Sequence, residues 1–242
     1  MTSEKYHAQY GEDKILHTIF NKKNGYCIEV GGFDGITGSN TLFFEGLGWR
    51  CVIVEPMPDF IEKIKSIRKC EVVEVAASDK EGEVDFYIAT GVETLSTMEL
   101  NHSHFERISS LSNQAPKKIT VKTARLDNIL YSRGILHPDF ITIDVEGHEL
   151  SVLKGLSFDL IHPRIVIIED NSYGIDSSIN EHMNSKGFIR FKKTGCNIWY
   201  AKKTDRLVGF MGILQTEASL YYFKLRQKIK IIFQWISNAT SP

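Results

Sequence analysis

The sequence predicts an α/β fold: a largely parallel sheet with helices on both faces. Three observations carry this. Short apolar runs alternate with segments of helical period, the pattern of βαβ units. Runs such as Cys51-Val52-Ile53-Val54 and Ile165-Val166-Ile167-Ile168 are continuously apolar, as strands covered on both faces require. Three runs end in an acid, Glu55, Asp144 and Glu169. Ligand crevices in such sheets lie beyond the carboxyl ends of the strands, so these acids are expected on one rim.

Composition agrees with a globular domain. The 242 residues are 42% hydrophobic and 24% charged, with a net charge of −1. Disordered, collagen-like and low-complexity chains are excluded. Near-neutral charge gives no pull toward nucleic acid. The four cysteines form no CxxC pair, and Cys27 and Cys51 sit in apolar runs. They are expected as free core residues of a cytoplasmic protein. The first ten residues carry no apolar signal core, and no run is long enough to span a membrane.

The elements follow in order. Ile15, Leu16, Ile19 and Phe20 share one face of a helix expected over residues 8–21. Tyr26 to Val30 is a strand that runs into Gly31-Gly32-Phe33-Asp34-Gly35. Ser39, Asn40 and Thr41 are capable N-caps for a short helix ending at Gly48. Residues 51–55 are a strand, Asp59 opens a helix carrying Ile61, Ile64 and Ile67, and residues 72–76 and 84–88 are further strands. Residues 90–118, rich in Ser, Asn and His and without clear period, read as an irregular insertion covering a site. His102 and His104 lie on it. A helix around Leu126–Leu130 precedes a strand over 140–144, a helix over 149–156 and a strand over 165–169. A helix over 177–186 and strands near 188–191 and 197–201 complete the pattern.

The glycine loop is the chemical signal. Glycine permits positive φ and close backbone approach to a ligand. The loop is not GxGxxG, because Phe33 replaces the second glycine, and no Gly-Lys-Ser/Thr follows as in a P-loop. Glu29 before the loop suits a cationic amino-acid portion better than a pyrophosphate. Glu55, at the end of the next strand, is placed for a bidentate bond to ribose hydroxyls. Together these features point to S-adenosylmethionine. The plainer alternative is a tight turn and a solvated strand end.

With these residues in hand, the chain resembles the FkbM family of S-adenosylmethionine-dependent methyltransferases. The matching stretches are Gln9 to Asp13, Glu29 to Thr41, Val54-Glu55-Pro56, Ala76-Ala77-Ser78, Arg125-Leu126-Asp127 and Ile143 to Glu149. The resemblance implies a Rossmann-like class I methyltransferase sandwich with a mostly parallel seven-stranded sheet. It places Glu29, Gly31, Gly35, Asn40 and Glu55 around the cofactor and Ala77 and Ser78 beside the adenine. It also implies O-methylation of a sugar, glycolipid or natural product. A nicotinamide oxidoreductase and a non-catalytic nucleotide-binding module are the alternatives.

Asp144, Asp170 and Asn171 offer three hard oxygen ligands at two strand ends. Their layout is similar to that of catechol O-methyltransferase-type enzymes, in which Mg²⁺ orients the acceptor. The alternative has Asp144 contacting cofactor or substrate directly and Asp170-Asn171 capping a turn. His148 is the candidate general base, since its reference pKa of about 6.5 suits proton removal at neutral pH.

The expected domains are residues 1–205 and a C-terminal extension over 206–242. Residues 202–231 carry seven basic residues against Asp205 and Glu217, so the rest of the chain is acidic. Leu214, Tyr221, Leu225, Ile229, Ile232 and Ile236 make a helical stripe. That pattern suits peripheral contact with the inner face of a membrane, packing on the domain, or a homodimer. The expected partners are otherwise a small-molecule or glycan acceptor and no nucleic acid.

Overall fold

A computed structural model describes residues 5–91, 96–98, 102–112 and 115–239. The described chain forms two compact units, divided between Glu169 and Asp170. Among the described residues the chain carries a seven-stranded, mostly parallel sheet.

In the first unit, β1 (Tyr26–Val30), β2 (Arg50–Val54), β3 (Glu71–Val73), β7 (Phe140–Ile143) and β8 (Ile165–Glu169) run parallel. Parallel neighbours need crossovers, which α2 (Leu42–Gly46), α3 (Pro58–Ile67) and α6 (Glu149–Lys154) provide. The order steps outward from β1 to β3, then restarts on the other side of β1 with β7. Right-handed crossovers therefore change face between β1 and β7, and this reversal marks where an open sheet binds ligands. Register aligns Val30 with both Val54 and Ile143, and Ile143 with Ile168. The residues one step on, Gly31, Glu55, Asp144 and Glu169, thus follow neighbouring strand ends.

The first helix, α1, is Glu12–Phe20, shorter than the pattern suggested. Asp13 accepts the His7 and Ala8 N–H groups and Glu12 accepts that of Tyr10, so residues 7–11 are held as a loop. Phe20, Phe44, Trp49 and Phe140 pack as one aromatic cluster, with centroids 4.7 to 6.2 Å apart. Cys27 and Cys51 face each other in register, both buried and free.

The strand expected over 72–76 is split. β3 ends at Val73, and β4 (Ala76–Ser78) joins a second sheet of order β4-β6-β5, with β5 at Gly82–Ile88 and β6 at Lys117–Arg125. Met57, Ala76, Phe86 and Val121 form its core. The insertion is less irregular than its composition implied. It contains α4 (His102–Ser112), and its last residues begin β6. Ile108 of α4 is buried, whereas Phe105 and Leu111 are exposed. The side chains of His102 and His104 lie outside the described residues. α5 (Leu126–Tyr131) buries Leu126, Ile129 and Leu130.

The second unit holds α7 (Ser178–Ser185), the antiparallel pair β9 (Phe188–Thr194) and β10 (Asn197–Lys202), and α8 (Phe210–Ala239). Helix α8 packs on β9. The chain therefore divides earlier than the 205/206 boundary expected from charge, because the basic segment shares a unit with the last strands.

Candidate active site

Gly31 has φ +86°, and a Cβ there would sit 1.7 Å from the Asp144 carbonyl oxygen. The close approach that demands glycine is thus to the turn after β7. Gly35 has φ +77° and a Cβ would press on Ile64 at 3.0 Å. Asp34 accepts the N–H groups of Ile36 and Thr37 and an ion pair from Lys63. Partial burial works to raise its pKa, but these donors outweigh it and bring the group to about 2.

Glu29 is buried and organises the far end of the loop. Its carboxylate accepts Ser39 Oγ at 2.8 Å, the Asn40 N–H at 2.7 Å and Thr41 Oγ1 at 2.5 Å. Burial raises its pKa. Within the structure its partners are loop residues, which sets it behind the loop. The Asn40 Oδ1 atom, by contrast, is buried with no hydrogen-bond partner. A buried acceptor lacking a protein donor suits a ligand N–H or O–H.

Glu55 lies under the loop. Its Oε2 accepts the Gly32 and Phe33 N–H groups and its Oε1 that of Met57, at 2.9 to 3.1 Å. Burial raises its pKa to about 7 against these three donors. A carboxylate offers about four acceptor positions, so one remains, on Oε1. The bidentate grip expected from the sequence thus has one acceptor position of this carboxylate open to it.

Arg68 is a residue that sequence reasoning missed. Its side chain is fully buried. Nη1 donates to the Gly35 carbonyl at 2.7 Å and Ser39 Oγ at 3.2 Å, Nη2 to Thr41 Oγ1 at 3.1 Å, and Nε to Glu45 at 2.7 Å. Glu29 and Glu45 raise its pKa despite its burial. One signal was available: Arg68 follows Ile64 by four residues, which puts a cation on the apolar face of α3.

Ala77 and Ser78 are buried in β4. Ser78 Oγ lies 3.1 Å from Nε2 of His148, the residue before α6. The structure therefore brings an expected adenine-side residue and the expected base together. Glu149 stitches the turn between them, accepting the Val145 and Gly147 N–H groups. Burial raises its pKa to about 7. Glu146 has φ +52°, and its carbonyl accepts Thr97 Oγ1 at 2.9 Å. Thr97, unmarked in sequence, also pairs with the Tyr87 backbone and ties residues 96–98 to the turn.

Asp144, Glu146 and Glu169 each bring a carboxylate oxygen within 4.8 Å of the others. Asp144 is exposed, yet desolvation by the protein around it raises its pKa. Its hydrogen bond with Glu169 favours the charged form of Asp144 and the neutral form of Glu169, so the shared proton resides on Glu169. The metal set expected from sequence fares differently. Asp170 and Asn171 belong to the second unit. The Asp170 carboxylate accepts Ser172 N, Ser172 Oγ and Gly174 N at 2.5 to 2.9 Å, and Asn171 is exposed. Asp170 thus closes its own turn, and the acid beside Asp144 is Glu169. Asp144, Asp170 and Asn171 do not fit an Mg²⁺ site on these contacts, so no step is routed through a metal.

Comparisons with known proteins give the following. Over 58 residues the chain is 40% identical to the hexuronic acid methyltransferase AglP of Haloferax volcanii, a stretch that is 24% of each protein. The chain thus spans about a quarter of the length of that curated relative. Among solved structures, the TehB-like SAM-dependent methyltransferase of Corynebacterium glutamicum aligns with a TM-score of 0.43 and 9% identity, covering 81% of this chain and 89% of that one. The O-methyltransferase TomG of Streptomyces achromogenes aligns with a TM-score of 0.40 and 13% identity, covering 85% and 84%. A family model for the methyltransferase FkbM domain matches residues 29–189, from Glu29 in β1 to Ile189 in β9. That match takes in the glycine loop, all three acid-tipped strands and the turn carrying His148, and with about two thirds of its length covered the chain belongs to the FkbM methyltransferase family.

Proposed function

We propose that this chain transfers a methyl group from S-adenosylmethionine to a hydroxyl of a sugar. The family match over residues 29–189 carries the reading. The sugar rests on the name of the Haloferax relative. The cofactor supplies a methyl group already activated on a sulfonium.

The residues present suit that cofactor. Oε1 of Glu55 has one acceptor position left for a ribose hydroxyl, and Asn40 Oδ1 waits for a ligand donor. Ala77 is small and buried, and we assign it to the adenine side as the family resemblance implies. On the acceptor side, His148 takes the hydroxyl proton, with Ser78 orienting its ring through Nε2. Asp144, open to solvent, accepts a hydrogen bond from the sugar and aligns its oxygen.

Calorimetry with S-adenosylmethionine comes first; no heat at high protein concentration rejects the cofactor. Transfer of labelled methyl to uronic-acid and neutral sugars then tests the acceptor. A label released by mild base would be a carboxyl ester and would reject the hydroxyl. His148→Ala should lower kcat about 10²–10⁴-fold, the usual share of a general base, with cofactor affinity retained. A kcat within threefold of the parent removes His148 from that role.

A further inference from the structure

Helix α8 presents two unlike faces. One packs on its own unit. Gly212 lies so close to β9 that a Cβ would fall 2.9 Å from the Phe191 carbonyl oxygen. Thr216 and Leu220 are buried, and Phe223 stacks on Tyr173 with centroids 4.0 Å apart. Glu217 receives Arg190 through Nε and Nη2. These positions step by three or four residues, one side of a helix.

The other face has no such cover. Met211, Leu214, Tyr221, Tyr222, Leu225 and Ile229 are all exposed large apolar residues. At 100° per residue they fall within one sector, and Ile232 and Ile236 continue the same spacing in the sequence. Cations occupy positions 224, 226, 228 and 230. By helical angle, Lys224 lies along one margin of the apolar sector and Arg226 along the other. The Arg226 guanidinium lies 5.3 Å from the Tyr222 ring centroid.

We propose that this face of α8 docks on an anionic lipid surface. An apolar stripe bordered on both sides by Lys and Arg, with tyrosines at its edge, matches the boundary between acyl chains and acidic headgroups. A second copy of the helix is a poorer complement. Between Phe210 and Ala239 the sole acid is Glu217, already paired with Arg190. Two such faces together would set cations against cations. No helix among the described residues is long and apolar enough to cross a membrane, so the contact is peripheral. The inference rests on the second unit alone and stands apart from the methyl-transfer reading.

The test is co-sedimentation of the full chain with phosphatidylcholine vesicles and with vesicles containing one quarter phosphatidylglycerol. Binding should require the anionic lipid, weaken at least fivefold between 0.05 and 0.5 M salt, and fall at least tenfold in L225E/I229E. Both substituted side chains are exposed, so the variant's melting temperature should match the parent's. K224E/R226E should lose binding to anionic vesicles as well. Equal sedimentation with both vesicle types, or unchanged binding by L225E/I229E, overturns the proposal. A dimer in light scattering that L225E/I229E dissociates, with no vesicle binding by the parent, would instead assign the face to a second copy and equally overturn it.

Discussion

Replacing Arg68 with methionine should be among the most damaging single changes in the first unit. Methionine keeps much of the aliphatic volume but removes the charge and four donated hydrogen bonds, to Gly35, Ser39, Thr41 and Glu45. It also leaves Glu29 buried without its nearest cation. Removing one partner of a buried ion pair costs ~3–5 kcal/mol. For chains of this size each kcal/mol lowers Tm by about 2–4 °C, so a fall of about 6–20 °C is expected in circular dichroism melts. Cofactor affinity should fall further than stability alone explains, because three of the four bonds end on the loop at residues 35–41. Glu45→Gln should cost much less: its carboxylate is partly exposed, and the amide oxygen still accepts the Lys69 N–H. A Tm drop below about 3 °C for Arg68→Met would refute the view that this guanidinium holds the loop.

Glu55 takes up a proton on folding between pH 4.5 and about 7, its ordinary and folded values. The contribution of this group to stability should therefore be greatest below about 4.5, decline as pH rises to about 7 and then level off. The decline from this group is about 3 kcal/mol, at ~1.4 kcal/mol per pH unit. Glu55→Gln should flatten that part of the urea-derived stability profile; an unchanged slope would reject the assignment. Gly31→Ala combines a positive φ with a Cβ 1.7 Å from Asp144 O, whereas Gly134→Ala meets nothing within 4 Å at φ +68°. The second should cost only the ~1–2 kcal/mol of a left-handed residue and the first at least twice that; equal losses in thermal melts would show that the loop moves freely. Glu169→Gln mimics the protonated acid and should keep near-parental stability at pH 7, because the shared proton already resides on Glu169. A loss above about 2 kcal/mol would place that proton on Asp144 instead.

Much of this architecture is written locally. The largely apolar runs at 51–54, 140–143 and 165–168 read as strands covered on both faces, and they are the parallel core. The terminal acids of those runs were legible as a rim because every parallel strand exits on the same edge. The split of residues 71–78 between two sheets was not legible. β4 owes its place to pairing with β6, whose partners are 47 residues away in sequence. Nor was α4, in which Ile108 is the buried apolar residue among the described side chains.

The sequence by itself determined the residue types: a glycine-rich turn after the first strand, acids at the next strand ends, and a basic apolar tail. Only tertiary structure decided what each does. Gly31 is glycine because a carbonyl from another strand crosses it. Glu29 and Arg68, 39 positions apart, form one buried network beneath the loop. Glu169, rather than Asp170, shares the proton of Asp144. Strand-end spacing cannot separate two adjacent acids, because a strand turns successive side chains to opposite faces and only register says which face meets the neighbour.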